Sequence, residues 1–153
     1  TAVANPGIFF IYFGLGGIAA NLSIGRLSDC LGRQKVAWPT IIFMGIANMT
    51  LYLITLNPIF MVSGFFVGFG VYGCMLVIIA WLIDVVDLKV RATALSYQES
   101  TIDMANAIGA MVVGALSAGL GLALSFVVIG LIILLAGAII IIINRFTSYS
   151  ENT

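Results

Sequence analysis

Gly25-Arg26-Leu27-Ser28-Asp29-Cys30-Leu31-Gly32-Arg33-Gln34-Lys35 is the stretch on which the reading of this chain turns. It is polar, it carries Arg26, Arg33 and Lys35, and it lies between two apolar runs, about 7–24 and 36–56. Its two glycines permit a tight connection between helices. Asp29 is suited to cap a helix start or to pair with a neighbouring cation. Arg33 and Lys35 are suited to hold the connection at an anionic membrane surface. Cys30 lies in this polar loop whereas Cys74 lies inside an apolar run, so a disulfide between them is not expected.

The runs on either side extend across the whole chain. Of its 153 residues, 62% are hydrophobic and 8% are charged, and the mean hydropathy is +1.22. Soluble domains carry about 25% charged residues, so this composition excludes a soluble globular domain. It equally excludes a disordered chain, which is poor in apolar residues. At about 20 apolar residues per crossing, the chain has room for about five spans. They read as 7–24, 36–56, 58–83, 92–119 and 122–143. Asn57-Pro58 and Gly119-Leu120-Gly121 are short turns that join antiparallel neighbours. Backbone polar groups at membrane depth must be satisfied internally, which leaves helices or a closed barrel. The unbroken run Ile139 to Ile143 lacks the alternation of a barrel strand. The expected fold is an all-α integral membrane bundle of about five transmembrane helices.

Six basic residues balance six acidic ones, and there is no histidine. Arg26, Arg33 and Lys35 precede the second span, Lys89 and Arg91 precede the fourth, and Arg145 follows the fifth. With alternating spans all six fall on one side, which the positive-inside rule makes cytoplasmic. The chain then begins outside and ends inside a multi-pass cell membrane protein. No basic surface for nucleic acid is present, and no metal-ligand spacing or imidazole chemistry is available. No phosphate loop or nucleophile elbow is found, so neither an enzyme nor a cofactor is expected. The expected surroundings are the lipid bilayer, a small-molecule substrate and protons.

The fourth span is the most polar. Ser96, Glu99, Asp103 and Asn106 recur at spacings of three and four, so they share one helical face, which Ala110 continues. If the helix enters the membrane near Thr93, Glu99 lies about 9 Å deep and Asp103 about 15 Å deep at 1.5 Å per residue. A carboxylate at that depth costs about 2.5–3.5 kcal/mol on insertion scales. Two on one face must therefore meet water, a cation or protons, and a site that favours the neutral carboxyl is suited to proton exchange. Asp103 and Glu99 are the candidate proton-coupling or substrate-binding groups, with Asn106 and Ser96 beside them. The plainer alternative pairs both acids with residues outside this chain or sets them near a helix end that starts deeper, and makes Asn106 a packing hydrogen bonder.

Asp84, Asp87, Lys89 and Arg91 gather at the end of the third span, where Asp87 and Arg91 pair if helical. Otherwise they form a solvated loop. Gly64 and Gly68 in that span have the spacing of close helix packing. Phe9, Phe10, Tyr12 and Phe13 suit an interfacial belt or a pocket wall.

The opening stretch resembles the G-x-L-x-D-x-x-G-R loop motif of the major facilitator superfamily, matched by Gly25, Leu27, Asp29, Gly32 and Arg33. Cys30 and Gln34 depart from that pattern, and Lys35 supplies the displaced charge. In the family the motif follows the second helix of each six-helix half. The third span lacks the intramembrane arginine of the first half's fourth helix, and Ala110 follows Gly109 where first-half antiporter helices carry proline. No long central loop follows Ile143. The resemblance therefore implies helices eight to twelve of a C-terminal bundle, completed by a missing N-terminal half.

The fourth span is similar to helix eleven of the family's drug:proton antiporters, on Arg91, Thr93, Ala94, Ser96 and Asp103. The family further implies an inner gate in which Asp84, Asp87 and Arg91 act with Gly25, Asp29, Gly32 and Arg33. It implies peripheral second and fifth spans, with the first, third and fourth bordering a cavity. The expected activity is secondary active transport by alternating access, as proton-coupled efflux of small molecules. Uptake or facilitated exchange of a nutrient, and a non-transporting truncated membrane protein, are the rival readings.

Overall fold

The computed structural model describes residues 6–52 and 57–150, with side chains described at 7–52 and 62–142. These residues form five helices in succession: α1 Pro6–Leu31, α2 Arg33–Thr50, α3 Asn57–Val85, α4 Arg91–Leu120 and α5 Leu122–Ser150. The chain is an all-α bundle, and no strand occurs among the described residues. Four segments are long and apolar enough to cross a membrane: Gly7–Leu31, Val62–Val85, Arg91–Leu120 and Leu122–Ile142. α2 is not among them, because its first turn carries Arg33 and Lys35. Residues 53–56, the far end of the expected second span, lie outside the described residues.

The stretch expected to be a loop is helical almost throughout. Gly25 to Leu31 complete α1, and Gly32 alone separates α1 from α2. Its φ of 95° is open to glycine at little cost. Its N–H still donates to the Ser28 carbonyl (3.1 Å), and its carbonyl accepts from Val36 N–H (3.3 Å), so one residue turns the chain without interrupting the ladder. Cys30 thus lies in the last turn of a helix. Asp29 caps nothing, since Gly32 holds the N-cap position of α2 without any side-chain bond. Gly121 does the same between α4 and α5, with φ 81°. Gly119 and Leu120 remain helical.

α1 and α3 form the most extensive contact. A Cβ on Gly16 would meet the Phe65 carbonyl, and one on Gly68 would meet the Phe13 carbonyl, so the two backbones touch because each supplies a glycine. α2 packs against α1, α3 and α5. It buries Val36, Ala37, Thr40, Gly45 and Ala47 on its protein-facing side. Gly45 and Gly130 bring α2 and α5 together, where a Cβ on Gly130 would stand 2.7 Å from the Gly45 carbonyl. α5 therefore has one protein face as well as its exposed apolar one.

Two small cores result. Ala20, Ile24, Val36, Ala37 and Val77 form one, and Ala47, Leu51 and Val67 the other. Phe9 and Phe13 pack on the second core, and Phe13 lies 5.6 Å from Tyr72, so these two rings are helix-packing groups, whereas Phe10 is exposed. Buried Ser28 and Thr40 donate to carbonyls of their own helices and buried Ser125 to that of Gly121 just before α5, which removes the cost of an unpaired hydroxyl. α4 contrasts with the rest. It touches α5 and, thinly, α3, and none of its residues is buried.

Candidate functional site

Two groups of polar residues stand out from this apolar frame. The first lies where the ends of α1 and α3 meet the start of α2. Arg33 opens α2, four residues after Asp29 in the last turn of α1, and the two form an ion pair. Its Nε donates to Asp84 Oδ2 at 3.1 Å, near the end of α3. Its Nη1 donates to Ser28 Oγ at 2.7 Å, and Ser28 passes its own proton to the Gly25 carbonyl at 2.9 Å. One planar guanidinium thus ties three helices at the one-residue turn, a geometry that a lysine ammonium does not reproduce. Among the described residues Asp29, Arg33 and Asp84 are brought together, and Gly25 and Gly32 shape the turn that allows it.

Asp87 and Arg91 are not part of that cluster. Residues 86–90 leave the helix, so the i,i+4 geometry that would join the two is absent. Asp87 instead closes the turn on itself: its Oδ1 accepts from Lys89 N–H (3.4 Å) and its carbonyl from Val90 N–H (3.1 Å). Arg91 Nη2 reaches the Val86 carbonyl at 3.5 Å, while its Nε is buried without a partner.

The second group is the stripe on α4. Glu99, Asp103 and Asn106 are exposed, and among the described residues none of them has an ion-pair or hydrogen-bond partner. Ser96 donates to the Ala92 carbonyl of its own helix at 3.0 Å. The stripe does not face the rest of this chain. A cleft of about 570 Å³ separates α4 from α3, and α4 lines it with Ala94, Tyr97, Gln98, Thr101 and Ile102. At about 100° per residue this second set is centred about 150° from Ser96, Glu99, Asp103 and Asn106.

Gln98 is the residue that sequence reasoning passed over. Its Oε1 is buried in the described chain with no donor. Gln98 shares a helical face with Arg91 and Thr101, and that shared spacing was the available signal. It was obscured by the denser acidic face opposite. Cys74, expected in mid-span, lines the same cleft from α3 as a free buried thiol, and Cys30 is free and exposed. No group of histidines, cysteines or carboxylates able to hold a metal ion occurs among the described residues.

Compared with known proteins, residues 3–152 match the family described as Major Facilitator Superfamily. No curated protein and no solved structure matches the chain.

Proposed function

The chain belongs to the major facilitator superfamily, a family of multi-pass membrane transporters, and from that premise we propose that it forms part of a proton-coupled secondary transporter exporting small molecules. In this reading α1 to α5 are helices eight to twelve, the C-terminal bundle, and the basic ends of the helices face the cytoplasm. The bundle works against an N-terminal half by alternating access around a midplane site.

The observation that carries the reading is the uncovered acidic face of α4. Glu99 and Asp103 lie on a helix fit to cross the membrane, yet nothing else in the described chain reaches them. Carboxyl groups within the bilayer are retained where they meet a water-filled cavity or a partner, and such positions mark substrate and proton pathways. Asp103, nearer mid-helix, is the protonatable group in this proposal. Glu99, one turn towards the cytoplasmic end, is its coupled neighbour, and Asn106 and Ser96 are polar contacts for the substrate. The Arg33 node with Asp29 and Asp84 is the cytoplasmic gate contact, made in one state of the cycle and broken in the other; Asp87 and Arg91 set the turn beside it.

The test is transport by the complete protein in vesicles of defined orientation with an imposed proton gradient. Asp103→Asn is expected to abolish gradient-driven flux while leaving substrate exchange at equal pH, the pattern of a carrier that still cycles without its proton. Unchanged gradient dependence in Asp103→Asn and in Glu99→Gln would sink the proposal. Substrate moving with the protons rather than against them would replace efflux by uptake.

A further inference from the structure

A groove that includes no residue of α4 has no role in the transport reading. It lies between α1 and α2, with Phe69 and Gly70 of α3 as its floor, and has a volume of about 430 Å³. Gly32 joins the two helices at one end, while α1 makes its most extensive contact with α3. Leu27, Leu31, Val36, Pro39 and Phe43 form its walls.

Its chemistry restricts what fills it. The Thr40 hydroxyl is directed to the carbonyls of Ala37 (2.7 Å) and Val36 (3.1 Å), and the Ser23 hydroxyl to that of Ala19 (2.6 Å). Both hydroxyl protons in the groove are therefore engaged with their own helices. Pro39 adds a wall without a backbone donor. The lining therefore suits hydrocarbon along this length.

The mouth is different. Lys35 lines it and is exposed, and among the described residues no carboxylate pairs with it. Its neighbour Arg33 is already held by Asp29 and Asp84. The two basic residues thus divide their work, with Arg33 facing inward to the helices and Lys35 available to an external anion. A lysine whose stem follows apolar wall and whose ammonium reaches water is the usual arrangement at a membrane surface. From Lys35 to Phe43 the wall rises about 12 Å at 1.5 Å per residue, close to the roughly 15 Å of one leaflet in a 30 Å core.

We propose that this α1–α2 groove binds one anionic phospholipid, with an acyl chain between Leu27, Leu31 and Phe43 and its phosphate on Lys35. Since the basic ends are read as cytoplasmic, the lipid comes from the inner leaflet, and this clause alone rests on the orientation proposed above. The lipid fills a gap that helix packing leaves and covers exposed Leu27 and Leu31 with hydrocarbon.

The test is native mass spectrometry of the complete protein, released from detergent with graded amounts of phosphatidylglycerol or phosphatidylcholine. Wild type is expected to retain one phosphatidylglycerol in preference to phosphatidylcholine. Lys35→Gln should weaken that retention about fivefold, the factor that one interfacial lysine supplies. Leu27→Phe, which fills the groove while leaving the charge, should weaken retention of both lipids, with unchanged helicity reporting that the protein is folded. A photoreactive side chain at Leu31 should crosslink lipid. Equal retention of the two lipids by wild type, or retention indifferent to both substitutions, overturns the proposal and leaves ordinary annular lipid. Crosslinking at Leu31 to protein instead of lipid also overturns it, since another helix or a second copy then occupies the groove. Asp103→Asn protein should bind phosphatidylglycerol like wild type, so failure of the transport reading and failure of this one are told apart.

Discussion

Arg33 and Asp84 stand 51 residues apart in the chain and 3.1 Å apart in space, Nε to Oδ2. That contact fastens the end of α3 to the turn between α1 and α2. Its strength is limited by water: the side chains of Arg33 and Asp84 are 27% and 53% exposed. Exposed ion pairs contribute about 0.2–1 kcal/mol. A double-mutant cycle with Arg33→Ala and Asp84→Ala, read by unfolding of the complete protein in detergent, should give a coupling within that range and falling with salt. A coupling well above it would mean that the node is drier in the complete assembly than in this chain.

The α1–α3 seam makes a sharper prediction. Gly68→Ala places a methyl group against the Phe13 backbone carbonyl, which cannot rotate away. Overpacking of this kind costs about 1–3 kcal/mol. Gly14→Ala, in the same pair of helices, meets nothing within 4 Å and should be neutral or stabilising by about 0.5–1 kcal/mol. Thermal unfolding of the two variants side by side checks the difference, and equal behaviour would place the seam elsewhere.

The two free cysteines should react differently. Cys30 is exposed at the basic end of α1, and Cys74 is buried in α3. A brief pulse of a water-soluble maleimide on the folded protein should therefore add one label, mapped by peptide mass to Cys30. Denaturation should expose Cys74 to a second. Two labels on the folded protein would mean that the α3–α4 cleft admits water and reagent as far as Cys74.

Cysteine substitutions along α4, in a background lacking Cys30 and Cys74, test which face is wet. Glu99→Cys, Asp103→Cys and Asn106→Cys should react with water-soluble maleimide at least about tenfold faster than Met104→Cys and Ile108→Cys, because thiolate forms in water and not in lipid. Uniform rates around the helix would remove the basis for a polar pathway along the stripe.

Much of the architecture was legible in the residues themselves. Five helices follow from composition, because a chain this apolar must satisfy its backbone within each segment. That the chain turns near Gly32 and near Gly121 was also legible, since each stretch holds glycines that accept positive φ, but not that one residue suffices for each turn. The extent of helix was harder to read. Polar residues such as Asp29 and Cys30 look like loop, yet at the water boundary a helix continues through them because its hydrogen bonds remain while the side chains point to solvent.

What only the tertiary structure decided is which faces meet. Arg33 had Asp29, Asp84 and Asp87 within plausible reach, and the departure of residues 86–90 from the helix left Asp87 to the turn and Asp84 to the arginine. α2 reads as a plain apolar span with Asn48 as its one internal polar residue, and only the structure shows that small residues at Gly45 and Ala47 let α3 and α5 close on it from two sides. α4 carries polar residues on two faces, and periodicity picked out the acidic one while Gln98 on the other went unread. Packing against α5 and the edge of α3 turned Gln98 inward and left Glu99 and Asp103 facing out. Local chemistry determines that a segment is helical and where it breaks; the choice among its faces depends on the shapes of neighbours distant in sequence, to which a helical period is blind.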